Sequence, residues 1–177
     1  MGSTPTWDIP LPSDGQSPWG ADYRAAMTII DERLTGLRGS LFVEDNQTPT
    51  VISTQGVAVP AALGNVQSGP PCRFCDVNSG GVLTYVGPLD RIPTVQAAFT
   101  LQSAGGNKTA KIEVRLNGQA IAGSAKRVRF GPNVTIQSGS LVSNVEMSTG
   151  DELQVWVTNL TDATNLTVLD LTLAARG

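Results

Sequence analysis

Lys111-Ile112-Glu113-Val114-Arg115-Leu116-Asn117-Gly118 is the stretch on which the fold turns. Ile112, Val114 and Leu116 alternate with Lys111, Glu113, Arg115 and Asn117, a period of two that gives an extended chain one apolar and one polar face. Asn117-Gly118 then closes the run with the strongest short hairpin signal, because a tight I′ turn needs positive φ at both central positions. The alternation recurs along the chain. Val95, Ala97, Phe99 and Leu101 alternate with Thr94, Gln96, Thr100 and Gln102. Leu153, Val155 and Val157 alternate with Gln154 and Thr158, and Leu169, Leu171 and Leu173 with Val168, Asp170 and Thr172. Each run reads as a half-buried antiparallel strand. Further strands are expected at 50–59, 82–87, 125–130 and 134–147, with turns at Gly105-Gly106-Asn107, Gly131-Pro132-Asn133 and Thr149-Gly150-Asp151. Eight or nine strands at this spacing imply a mainly β fold, an antiparallel sandwich read as a jelly roll. Residues 60–81, rich in Gly and Pro, are expected to form a loop at one end of it.

Upstream of residue 40 the register changes. Ser17 is an N-cap with Pro18 at the first helical position. From there Tyr23, Met27, Ile30, Leu34 and Leu37 recur at spacings of 4, 3, 4 and 3, the rhythm of a coiled-coil seam, with Ala26 widening the stripe. Gly36 and Gly39 are expected to end this short amphipathic helix. Isolated helices under about 12–15 residues are marginal in water, so the stripe must bury against something. A seam around a symmetry axis and a helix laid on the β domain both satisfy that need. The narrow spacing favours the seam, and with it a homotrimer.

Residues 1–19 carry four prolines and no periodicity, which excludes a helix or a central strand. Trp7, Ile9, Leu11 and Trp19 are therefore expected to bury in a partner's groove, the rival being packing on the chain's own β domain. The chain thus divides into an N-terminal attachment arm and short helix over 1–40 and a sandwich over 41–177, with 44–49 as a polar linker.

At 177 residues such a domain buries enough apolar surface to need no metal or disulfide. Charged residues make up 15% of the chain, low against the usual quarter or so. The net charge of −3, a property of the whole chain, offers no footprint for nucleic acid or an anionic membrane. No apolar run approaches the roughly 20 residues of a membrane span. Met1-Gly2-Ser3-Thr4 has neither a basic n-region nor an apolar h-region, so no signal peptide is expected.

Chemistry has little to work with. The chain has no histidine, which excludes Ser-His-Asp, Cys-His and His-metal arrangements. Asp76, Asp90, Glu113, Glu146, Asp151, Glu152, Asp162 and Asp170 are dispersed over turns and strand faces expected to be solvated, which argues against a paired-carboxylate site. Gly-rich stretches match no phosphate-binding motif. Cys72-Arg73-Phe74-Cys75 lacks the four ligands of a structural zinc site and the βαβ context of a redox motif, so two reduced thiols in or beside a strand are expected. No cofactor, no metal and no catalytic residue is expected. Lys126, Arg127 and Arg129 form the one basic run, with Arg127 and Arg129 on one face, and a solvated strand face is the ordinary reading. Asn46, Asn107, Asn133, Asn159 and Asn165 each begin an N-x-[ST] sequon, read as chance in so Thr-rich a chain. Trp156 lies out of phase with Val155 and Val157 and so faces away from their core, where an exposed Trp would serve as an interface anchor.

Three blocks, Tyr85-Val86-Gly87-Pro88, the run Asn117 to Ser124 and the run Gly150 to Asn159, resemble a C-terminal β-sandwich module of tailed-bacteriophage virion proteins. Trp7-x-x-Pro10 and Trp19-Gly20-x-Asp22, leading into Ile30-Asp31-x-Arg33-Leu34, are similar to the attachment ends of phage fibres. The resemblance covers residues 7–38 and 80–177. It implies a homotrimeric jelly roll, related in architecture to the heads of complement C1q and tumour necrosis factor. Such modules serve in head decoration, head fibres or tail fibres, and supply no catalytic residues. The resemblance therefore also implies a non-enzymatic structural protein of the virion, partnered by itself and by capsid, portal or tail proteins. A receptor- or glycan-binding fibre tip is the alternative. Exposed loop aromatics would favour it, and Phe74 is nearly alone among them.

Overall fold

The computed structural model describes Met27, Ile30, residues 36–69 and residues 72–177. The chain divides into two units, 1–36 and 37–177. In the first, Met27 and Ile30 are helical, Met27 exposed and Ile30 half-buried. Trp7, Ile9, Leu11, Trp19, Tyr23 and Leu34 lie outside the described residues, as does most of the expected arm and helix.

The second unit is built of strands β1 (Arg38–Val43), β2 (Val59–Pro60), β3 (Gln67–Ser68), β4 (Cys75–Val77), β5 (Val82–Tyr85), β6 (Thr94–Ser103), β7 (Thr109–Leu116), β8 (Gln119–Arg129), β9 (Ile136–Asn144), β10 (Glu152–Asn159) and β11 (Leu166–Arg176). One antiparallel sheet runs β3-β1-β11-β6-β9 and the other β4-β5-β10-β7-β8, with β2 added to β10. The chain changes sheet at every connection except β4–β5 and β7–β8, the connectivity of a jelly roll. The mainly β sandwich implied by the alternation is what the chain forms. Its core lies between the sheets. Leu41, Val95, Leu101, Leu171 and Leu173 face Leu83, Ile112, Val114, Leu153 and Val155, and all of these are buried. Each contributes about 1.5–3 kcal/mol of burial to holding the sheets together.

Several expectations change. The first strand is β1, in the region where the two glycines predict only the end of a helix. Gly36 does turn the chain, at φ 60, but Leu37 is 1% exposed within the sandwich core and its carbonyl accepts from Gly177 N at 3.0 Å. Leu37 therefore belongs to the β domain and not to a helix seam. Gly39 sits within β1 because a Cβ there would lie 2.7 Å from Cys75 Sγ, and the sandwich begins at Leu37, not after residue 40. Residues 50–59 make no long strand. Thr50 bridges Leu166, Ile52 N donates to Asn165 Oδ1, and a turn carries Gly56 at φ 78. Residues 60–81 are not one loop, since β2, β3 and β4 fall within them. In β11 the register shifts between Val168 and Asp170, so that Val168 and Leu171 both face inward. Cys72 and Cys75 are paired in a disulfide, not reduced. Phe74 between them has φ 57, and this left-handed residue folds the short loop back so that the Cα atoms stand 5.7 Å apart.

The stretch 44–49 is no free linker either. Asn46 is 2% exposed and fully bonded. Its Nδ2 donates to Ala62 O (3.0 Å) and Val168 O (2.8 Å), and its Oδ1 accepts from Thr48 N (3.0 Å) and Gly64 N (3.1 Å). One amide thus ties the β1–β2 connection to β11 and to the chain before β3. Asn46→Ala strands several of these buried groups, and is expected to destabilise the domain by about 1–3 kcal/mol in urea unfolding. A change within a few tenths would mean that the connection is not held here.

Candidate functional site

The surfaces where this domain can meet another molecule are set by the edge at which its two sheets come together. Asn117 (φ 50) and Gly118 (φ 77) turn β7 into β8 with the positive φ pair that the sequence demands. Ala120 lies opposite Arg115 and Ala125 opposite Glu113, so residues 121–124 bulge out of the ladder. Gly123 (φ 77) makes that bulge possible, and the Ser124 hydroxyl lies 2.8 Å from the carbonyls of both Val114 and Ile121. The bulge reaches β9, where Ser143 Oγ donates to Ala122 O at 2.8 Å, and Lys126 Nζ lies 3.4 Å from Ser140 O. Two edge strands of different sheets are stitched together in this way. A lysine at such a rim also discourages edge-to-edge pairing.

This edge is basic. Lys108, Lys111, Arg115, Lys126, Arg127 and Arg129 lie within 108–129 with Glu113 as the sole acid, although the whole chain carries −3. Arg127 and Arg129 are exposed, and their side chains have no hydrogen bond or ion pair among the described residues. Lys126, Arg127 and Arg129, the basic run of the sequence, are the solvated part of this patch, as expected.

On the outer face of the six-stranded sheet, Glu113 is not solvated as expected; it is 2% exposed. Lys111 Nζ stands 2.8 Å from its Oε2, and Arg115 donates to Oε1 through Nε (2.9 Å) and Nη2 (2.7 Å). Burial pushes the Glu113 carboxyl upward, but the hydrogen bonds and charges of Lys111 and Arg115 outweigh it and hold the group below the usual glutamate range. The Arg115 guanidinium lies 4.3 Å from the ring centroid of Trp156. Trp156 does face away from the Val155–Val157 core, as its phase requires, yet it is half-buried beneath this cation, not bare. Its indole N–H and the Thr158 hydroxyl find no partner among the described residues.

The outer face of the five-stranded sheet is of another kind. Ser40, Gln96, Ala98, Ser140, Val142, Thr172 and Ala174 occupy neighbouring outward positions on β1, β11, β6 and β9, an uncharged surface made mostly of small residues with Phe42 beside Thr172. Towards one end it dips into an open groove of about 700 Å³ beside Phe42, Thr100 and Ser138, rimmed by Glu44, Asp45 and Asp170. All three acids are exposed, and Asp170 Oδ1 accepts from Asp45 N at 3.1 Å.

Among the described residues no group of three or more His, Cys, Asp or Glu could hold a metal ion. Asn159, read as a chance sequon, is fully buried. Its Nδ2 reaches Asp162 Oδ1 and Thr164 O, both at 2.9 Å, and its Oδ1 accepts from Thr161 N and Asp162 N. Asp162 in turn pairs with Lys108, and this lysine together with Thr164 holds its carboxyl far below the ordinary range. Asn46 and Asn159 are thus loop pins and closed to glycosylation. An Asn followed at i+2 or i+3 by a turn residue was the available signal.

No described protein family and no curated protein matches the sequence. Solved structures do match in fold. The PRD1 vertex protein P5 superposes with a TM-score of 0.51 at 11% identity, over 78% of this chain and 71% of its own. Eiger TNF from S. frugiperda gives 0.46 at 11% identity, over 80% of this chain and 93% of its own. The chain is a jelly-roll protein.

The Glu113 cluster makes a test of pH. Its lowered folded pKa contributes stability that is present above the usual value of 4.5 and is lost as pH falls through the folded value. Glu113→Gln is expected to destabilise the domain by about 1.5–3 kcal/mol near pH 7, with the deficit shrinking below pH 4.5. Urea unfolding at pH 7 and pH 3 checks both halves.

Proposed function

We propose that this chain is a non-enzymatic structural protein of a phage virion, a homotrimeric head-decoration, fibre or tail appendage carried by its jelly roll and anchored through residues 1–19. The observation that carries this reading is the uncharged middle of the outer face of the five-stranded sheet, between Arg38 and Arg176 at one end and Asp170 towards the other, with mostly Ser, Thr, Ala and Val in place of the Lys and Glu that usually solvate such a face. Small side chains let a neighbouring copy approach the sheet closely, and nothing charged has to be desolvated. The jelly-roll likeness to a phage vertex protein supports a place on the virion. A glycan-binding tip gains nothing from Phe74, the loop aromatic on which it would rest, because that ring is packed against the core.

The arm supplies the anchor in this reading. Trp7, Ile9, Leu11 and Trp19 are apolar groups on a proline-rich segment, and each contributes about 1.5–3 kcal/mol when fully buried in a partner surface. Native mass spectrometry of the purified chain at micromolar concentration is expected to give three copies, and a clean monomer would sink the reading. Deleting residues 1–19 is expected to leave a folded sandwich that no longer joins the particle. Normal occupancy of the truncated protein would remove the arm from the proposal, and an unfolded sandwich would mean that the arm packs on its own domain.

A further inference from the structure

We propose that the trimer closes by a head-to-tail contact in which the basic β8 edge of one copy seats in the acidic groove of the next. The inference rests on the homotrimeric reading and supplies the interface that reading lacks. Two surfaces of unlike charge are on one chain. The first is the β8 rim with Lys126, Arg127 and Arg129, all exposed. Neither arginine side chain has a hydrogen bond or ion pair among the described residues, while the neighbouring Lys111 is already held by Glu113. The second is the groove on the five-stranded sheet rimmed by Glu44, Asp45 and Asp170. No ion pair between any of these acids and a cation occurs among the described residues.

A contact between unlike surfaces is heterologous, and it closes into a ring when the rotation between copies fits a small whole number. Register along the strands favours closure. Lys126 Nζ reaches Ser140 O on β9, and its side chain passes beside Gly139. Gly139 and Ser138 line the groove, paired across β6 with Phe99 and Thr100, and Thr100 with Asp170 on β11. Basic rim and acidic groove therefore stand at one level along the strands of a single protomer. Rotation about an axis running with the strands brings the rim of each copy to the groove of its neighbour without sliding one past the other. The uncharged sheet face lies beside the groove and is covered in the same movement. In this arrangement the charges fix which surface meets which, and the small-residue face supplies the contact area.

The test uses the full chain and a dilution series read by native mass spectrometry and sedimentation. Arg127→Glu with Arg129→Glu is expected to weaken trimer formation at least tenfold, and so is Glu44→Lys with Asp170→Lys. Combining all four substitutions is expected to restore most of the loss. Far-UV circular dichroism and thermal melts report whether each variant is folded. A measurement that needs no variant is the wild-type dilution midpoint, which should rise several-fold as salt shortens the screening length from about 10 Å at 0.1 M to about 3 Å at 1 M. The proposal is overturned if the arginine reversals leave the midpoint unchanged, if the fourfold variant stays as dissociated as its halves, or if the wild-type midpoint ignores salt. Should the arginine reversals abolish binding to a polyanion such as heparin while leaving the trimer intact, the rim serves another partner and the proposal also fails. A wild-type chain that is monomeric at every concentration defeats the homotrimeric reading first, before any variant is made.

Discussion

Each change of sheet in this sandwich carries polar backbone over an apolar edge, and a buried amide left unpaired there costs about 1–3 kcal/mol. The domain depends on meeting that constraint, because the core strands can face one another only if their connections can cross. Asn46 meets it at one end, with four bonds from a single side chain to the backbone of four other residues. Asn159 meets it between β10 and β11, where it organises Thr161, Asp162 and Thr164. Ser124 does the same inside the β8 bulge. Asn suits this work because one amide offers two donors and an acceptor with two lone pairs in a compact side chain.

The same connections distribute the charge. Six cations and one acid lie within residues 108–129, and that acid, Glu113, is tolerated in burial because Lys111 and Arg115 saturate both its oxygens. Arg115 then lies over Trp156 and shields a ring that would otherwise be bare. On the opposite sheet the outward positions carry no charge except towards the strand ends, where Arg38 and Arg176 are paired across β1 and β11 and Asp170 lies near the other end.

Much of the fold was legible because strand burial imposes a period of two. Val95 to Leu101, Ile112 to Leu116 and Leu153 to Val157 all point inward as their alternation requires, with Leu116 half-buried near the turn, and Asn117-Gly118 turns where its φ preference demands. The failures share a cause. Arg38–Val43 is a strand whose first inward residue is a glycine, so the apolar alternation is too short to register. Asn46 sits in a polar run that composition alone assigns to a linker, although its burial depends on Ala62 and Val168, far away in sequence. Glu113 has the pattern of a solvated position and is buried by partners on its own strand. Cys72 and Cys75 come together because Phe74 adopts a left-handed backbone that spacing does not announce.

Residue pattern alone makes this a two-sheet β protein, and the chain has no histidine, because side-chain period and residue type are local properties. Tertiary structure alone decided that β1 completes the five-stranded sheet, that Leu37 belongs to the core, and that the basic run and the acidic groove stand at one level. Those facts depend on which distant strands pair and in what register. Pairing energy is shared between segments as remote as Arg38 and its register partner Arg176, the first residue of β1 against the last of β11. No local window of sequence contains both halves of such a contact.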